Sequence, residues 1–217
     1  MGRNTHEAGK GGKLWEDRYH DRILFHHGQL DALINYIKDN PQRLALKRAN
    51  KDLFHICQAA QIENIHCTTL GNIFLADYPY KQVLQCSRKL TQEQIDSLKE
   101  ECLNKAVNGT IFISAAISEG EKQLCRTIRQ AGLPIIILLE KVFPSPDDPH
   151  YEYYKAQGVY FEACAAGNLL LVEPDKSLFE RTDIMEKVYQ KAGEILHESL
   201  RYRFLALNMI AELMLKS

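Results

Sequence analysis

Residues 109–139 read GTIFISAAISEGEKQLCRTIRQAGLPIIILL, and three segments follow one another there. GTIFISAA (109–116) is a short continuous apolar run, the pattern of a strand buried on both faces. SEGEKQLCRTIRQAG (118–132) opens on Ser118, places Glu121 at the capping-box position and closes at Gly132, which are the marks of a helix. LPIIILLEKV (133–142) is another buried strand, rich in β-branched residues. Strand, helix and strand in this order make a right-handed crossover between parallel strands.

The same alternation continues on both sides. KQVLQCS (81–87) reads as a buried strand. LTQEQIDSLKEECLNKAVNG (90–109) reads as a helix with Thr91 as N-cap, Gln94 at the capping-box position and Gly109 at its end. Beyond a PSPDDP loop, HYEYYKAQGVYFEACAAG (150–167) is mostly helical, and NLLLVEP (168–174) is a further strand. TDIMEKVYQKAGEILHESLRYRFLALNMIAELML (182–215) is one long helix or two, capped by Thr182 or Asp183. Residues 53–76 mix apolar and polar positions and fit one or two strands, with a turn signal at Gly71-Asn72. The order predicts an α/β fold, a parallel sheet of four or more strands with helices on both faces and a long C-terminal helix.

Upstream the character changes. The start is glycine-rich and lacks periodicity. GQLDALINYIKDNP (28–41) has apolar residues at Leu30, Leu33, Ile34 and Ile37, which is helical spacing, and Asn40-Pro41 is expected to stop that helix. QRLALKRANKD (42–52) then gathers Arg43, Lys47, Arg48 and Lys51 into a local basic patch, a candidate DNA contact. Two regions follow: an arm and mainly helical appendage over 1–52, and the α/β domain over 53–217.

Composition sets limits. Apolar residues make up 45% and charged residues 25%, enough for a packed core. The formal net charge of -1 supplies no overall basic field for nucleic acid. The six cysteines form no CxxC pair and read as buried reduced thiols, with no metal site expected. No apolar signal region opens the chain, and LPIIILL is too short to span a bilayer, so a cytoplasmic protein without a membrane partner is expected.

In open α/β sheets ligands gather at the carboxyl ends of the strands. Here those ends carry Ser87 and Arg88 after the first strand, and Ser114, Ala115, Ser118, Gly120 and Lys122 after the second. The helix opening at Ser118 offers free N–H groups and a positive dipole end to an anion. Glu119 and Glu121 oppose that reading, and small residues at a strand end also serve close packing. A nucleotide or another phosphate-bearing small molecule is the candidate ligand, and no resident cofactor is expected.

The stretch 109–139, with YFEACAAGNLLLVEP (160–174), resembles the Rossmann-like domain of the DNA-processing protein A family. Relatives of that family include the lysine-decarboxylase-like nucleotide hydrolases. The resemblance spans residues 81–174 and rests on the strand-Ser-Ala-Ala-Ile-Ser-x-Gly turn and the late strand-Glu-Pro ending. It implies binding of single-stranded DNA or nucleotides near the strand ends. Glu119-Gly120-Glu121 stands where that family typically has Gly-Ile-Asp. A PGGxGT motif is missing, which argues against nucleotide hydrolysis.

Trp15, Tyr19, Asp21 and Ile23, followed by YIKDNP (36–41), resemble the C-terminal segment of tyrosine transposases associated with repetitive extragenic elements. The resemblance covers residues 13–50 and implies Tyr36 as the nucleophile on a DNA phosphate, with a metal held by a His-x-His pair. No His-x-His occurs in this sequence, so Tyr36 as an ordinary helix residue is the better reading. The tyrosines at 151, 153, 154 and 160, with Phe161, fit a core-facing helix stripe better than a base-stacking platform. His197 and Arg201 read as a solvated helix face.

The leading expectation is a DNA-associated, non-catalytic protein of mobile-element origin. The alternatives are a nucleotide- or phosphometabolite-binding α/β enzyme or sensor, and an oligomerising module. FLALNMIAELML is apolar on more than one face, which predicts partial burial in a homodimer.

Overall fold

The structure is a computed structural model that describes residues 29–140, 143 and 158–215. The chain divides into two units, Met1–Leu44 and Ala45–Ser217. The described part of the first unit belongs to helix α1 (Gln29–Ala49), which runs on past the division. Contrary to expectation, Pro41 does not end α1 but stands inside it. Proline deletes one backbone hydrogen bond. The run QRLALKRA that follows is rich in strong helix formers and carries the helix through.

The second unit is built on a six-stranded sheet in the order β1-β2-β6-β5-β4-β3. Its strands are β1 (Ile56–Ile62), β2 (Ile65–Gly71), β3 (Lys81–Val83), β4 (Ile111–Ser114), β5 (Ile135–Leu138) and β6 (Leu169–Pro174). β3 to β6 are parallel, and β1–β2 is an antiparallel hairpin added beside β6. Residues 53–76 therefore complete the sheet. The hairpin turns at Glu63-Asn64, where Glu63 takes a φ of 53°; no glycine marks the spot.

The helices are α2 (Gln92–Val107), α3 (Glu119–Gln130), α4 (Gly158–Ala165), α5 (Lys176–Phe179), α6 (Thr182–Ala192) and α7 (Leu200–Leu213). Both expected capping boxes are present, Thr91 with Gln94 and Ser118 with Glu121. Each crossover from β3 to β6 steps to the next strand in the same direction. Crossovers of one hand then lay α2, α3 and α4 on one face of the sheet. Their Ala106, Leu124, Ile128 and Cys164 pack there with Phe112, Ile135, Ile137, Leu169 and Leu171. The alternate residues Ile111, Ile113, Ile136, Leu138, Leu170 and Val172 face the other way, onto α5, α6 and α7.

That second face explains the C-terminal segment. It forms two helices, and Tyr202, Ala206, Ile210 and Ala211 of α7 are fully buried against the sheet. Much of the apolar character of FLALNMIAELML is used within the chain, while Phe204, Leu205 and Leu213 stay half-buried. Tyr202 also donates a 2.6 Å hydrogen bond to the Phe179 carbonyl, which satisfies its buried hydroxyl.

Two further expectations are corrected. β3 is a three-residue edge strand whose Lys81 and Val83 are half-buried and whose Gln82 is exposed, since it has a neighbour on one side only. The N-cap of α6 is Arg181, not Thr182 or Asp183. The Arg181 guanidinium takes both Asp183 carboxylate oxygens at 2.7 Å. That hydrogen bonding, more than the charge itself, holds the Asp183 carboxyl down at about 2. Among the described residues no helix is long and apolar enough to cross a membrane.

Gly71 sits where β2 meets the start of β6, at a φ of 108°. A Cβ there would lie 2.1 Å from the Leu169 carbonyl oxygen, whereas one at Gly109 (φ 92°) would meet nothing within 4 Å. Gly71→Ala is expected to cost about 3 kcal/mol through a backbone clash plus strain. Gly109→Ala is expected to cost about 1 kcal/mol through strain alone. Urea unfolding of the two variants checks the difference; equal costs would place the β2–β6 contact elsewhere.

Candidate functional site

The carboxyl ends of β3 and β4 open into a cleft of about 420 Å³. Three parts of the chain wall it: Cys86 and Arg88 in the loop leaving β3, Ile117, Ser118 and Glu121 at the start of α3, and α6–α7 with Lys191, Leu200, Arg201, Phe204, Leu205 and Asn208. The strand order does not reverse within β3–β6, so this is no switch-point crevice. Its third wall is supplied by the end of α6 and the first part of α7.

At its floor the Glu121 carboxylate, 3% exposed, accepts three backbone N–H groups. Ile117 donates at 2.7 Å, Cys86 at 3.1 Å and Ser118 at 3.2 Å. Two loops and the positive end of α3 thus converge on one internal anion, and charge-assisted bonds of this kind offset the cost of its burial. The amides of Ile117 and Ser118, beside the helix start that the sequence offers to an external anion, are taken by the chain's own side chain.

The residues expected at the strand ends divide accordingly. Arg88 and Ser118 line the cleft. Ser118 is the N-cap, accepting the Glu121 N–H at 3.1 Å, and its hydroxyl lies 3.3 Å from the Cys86 sulfur. Ser114 is fully buried; its hydroxyl donates to the Leu84 carbonyl and accepts the Ala116 N–H, both at 3.1 Å. It ties β3 to β4 and is closed to a ligand. Ala115 is buried beside it. Gly120 packs against Cys86, whose sulfur would stand 2.7 Å from a Cβ at that position. Ser87 is exposed and accepts the Lys89 N–H. Ser87 and Lys122, also exposed, are outside the cleft lining.

Of the basic patch, Arg48 and Lys51 are exposed, while Lys47 lies over the Phe54 ring at 5.5 Å. The side chains of Tyr36 and Arg43 lie outside the described residues, as do Trp15, Tyr19, Tyr151, Tyr153 and Tyr154. Phe161 is buried and stacks on Phe54 at 5.0 Å, and Arg129 lies over Tyr160 at 4.9 Å. Both aromatic rings are engaged within the fold. The His197 ring bonds the Phe179 carbonyl at 2.9 Å and packs on Tyr202.

Lys191, Arg201, Asn208 and Cys86 were not singled out as site residues by the sequence. Lys191 and Arg201 are exposed, and with Arg88 they give the cleft three cations. Among the described residues none of the three has a hydrogen-bond or ion-pair partner. No sequence signal joins them to Ser118, because the chain folds α7 onto the sheet only through long-range packing. Among the described residues no His, Cys, Asp and Glu side chains group as metal ligands.

All six cysteines are free thiols. Burial pushes the Cys67 thiol up to about 12 and those of Cys125 and Cys164 to about 11, and it raises Cys102 as well. Cys57 is exposed and Cys86 half-buried, so the reading of buried thiols holds for the other four.

Comparison with protein-family models, with curated proteins and with solved structures finds no match to this chain.

The native protein is expected to react with a thiol reagent at Cys57 first and Cys86 second at pH 8, with the four buried thiols protected until unfolding. Mass mapping of iodoacetamide adducts checks this. Early labelling of Cys125 would contradict the α3 packing.

Proposed function

We propose that the protein is a binding module for a small phosphate-bearing ligand, held in the cleft at the carboxyl ends of β3 and β4. The observation that carries this reading is the convergence of Arg88, Lys191 and Arg201, from three separate elements, on one cleft with no partners among the described residues. Guanidinium groups match phosphate oxygens in pairs, and an ammonium adds a point charge. The apolar wall of Ile117, Leu200, Phe204 and Leu205 offers a ligand's organic part a dry surface. Binding rather than turnover is proposed because the acidic side chain lining the cleft, Glu121, has its oxygens committed to three amides.

Association with DNA is the second reading, drawn from the resemblances and supported by exposed Arg48 at the end of α1 and exposed Lys51 just beyond it. The two readings involve different residues and separate in one set of titrations. Calorimetry with inorganic pyrophosphate and with ATP is expected to detect binding that Arg201→Glu weakens at least about tenfold. Fluorescence anisotropy with single-stranded DNA tests the second reading, where affinity should fall steeply with salt and with Arg48→Glu. Binding of pyrophosphate and ATP unaffected by Arg201→Glu would remove the cleft from the account.

A further inference from the structure

Glu121 has a property that a simple strut would not need: it is nearly fully buried, yet it lines the cleft. Its carboxylate stands where the amides of Cys86, Ile117 and Ser118 point. Backbone N–H groups converging at the start of a helix are the usual cradle of a bound phosphate. In this chain that cradle is already filled by a fixed negative charge.

We propose that Glu121 is a built-in competitor of the ligand, an internal carboxylate that occupies the amide cradle and limits how tightly the cleft holds a compact anion. This rests on the cleft being the binding site. Three cations and one carboxylate give the lining a net charge of about +2, close to balance against a phosphate monoester dianion. An anion in the cleft meets the cations but is denied these three amides, and it is repelled by the carboxylate beneath. The contact is therefore autoinhibitory: affinity is held below what the backbone could supply. One of the three bonds, from Cys86, ties the Arg88 loop to the start of α3, so Glu121 also positions one of the cations.

The test compares inorganic phosphate binding to the full chain, Glu121→Gln, Glu121→Ala and Arg201→Glu at constant ionic strength, with circular dichroism confirming the fold. Glu121→Gln keeps the shape and one carbonyl acceptor while removing the charge; Glu121→Ala also opens the cradle. Phosphate is expected to bind Glu121→Gln about tenfold more tightly than the full chain, with Glu121→Ala at least as tight. A purely structural role predicts the opposite, weaker or unchanged binding, and that result in folded Glu121→Gln overturns the proposal. If Glu121→Ala fails to fold, Glu121→Gln decides. Binding by the full chain that is lost in Arg201→Glu but not tightened in Glu121→Gln leaves the cleft standing and removes the competitor. Binding by the variants alone supports the competitor and refutes the cleft as a site in the native chain. Phosphate binding by none of them removes the competitor, and failure of pyrophosphate and ATP as well removes the cleft.

Discussion

The carboxylate of Glu121 and its three backbone donors hold together the end of the sheet on which the rest of the site depends. The residues involved belong to separate pieces of chain: Cys86 follows the edge strand, Ile117 and Ser118 follow β4, and Glu121 is in the first turn of α3. A three-residue edge strand is weakly held by its own ladder. The Ser114 hydroxyl bond to Leu84 and the Glu121 bond to Cys86 clamp the chain just beyond it. A buried charge tolerates no loss of its donors, so the loop, the helix start and the strand end form one unit.

Topology determines where that unit lies. With β3, β4, β5 and β6 adjacent in chain order, the crossover helices occupy one face and leave the other to the C-terminal segment. Parallel strands need cover on both faces, and α7 supplies it with Tyr202, Ala206 and Ile210. The same cover brings Arg201 and Asn208 of α7, with Lys191 of α6, up to the Ser118 turn. The cleft is thus a consequence of covering the sheet with two terminal helices, and its cations come from that cover.

Much of the scaffold was legible locally. The capping boxes at Thr91 and Ser118 depend on residues three apart, and the runs at 111–114, 135–138 and 169–174 carry the apolar pattern of buried parallel strands. Reading failed where a distant partner decides the outcome. The edge position of β3 is invisible in KQVLQCS, since lying at an edge is a property of the sheet. Pro41 looked like a helix end, but a single lost bond is outweighed by the helix formers after it. The turn at Glu63-Asn64 carried no glycine. In the site, the capping-box rule foresaw the bond from Ser118 N–H to Glu121 but not those from Cys86 and Ile117. Arg88 and Ser118 were foreseen at the strand ends, whereas Lys191 and Arg201 enter through tertiary packing. Ser114 was read as a ligand hydroxyl because its burial cannot be seen from its neighbours.

An internal carboxylate holds the amides of Cys86, Ile117 and Ser118. Amide hydrogen exchange followed by NMR at residue level tests it most directly. Slow exchange is expected at all three positions, in loops that have no ladder bonds at those N–H groups. Exchange at the rate of an unstructured chain at Ile117 and Ser118 would contradict it.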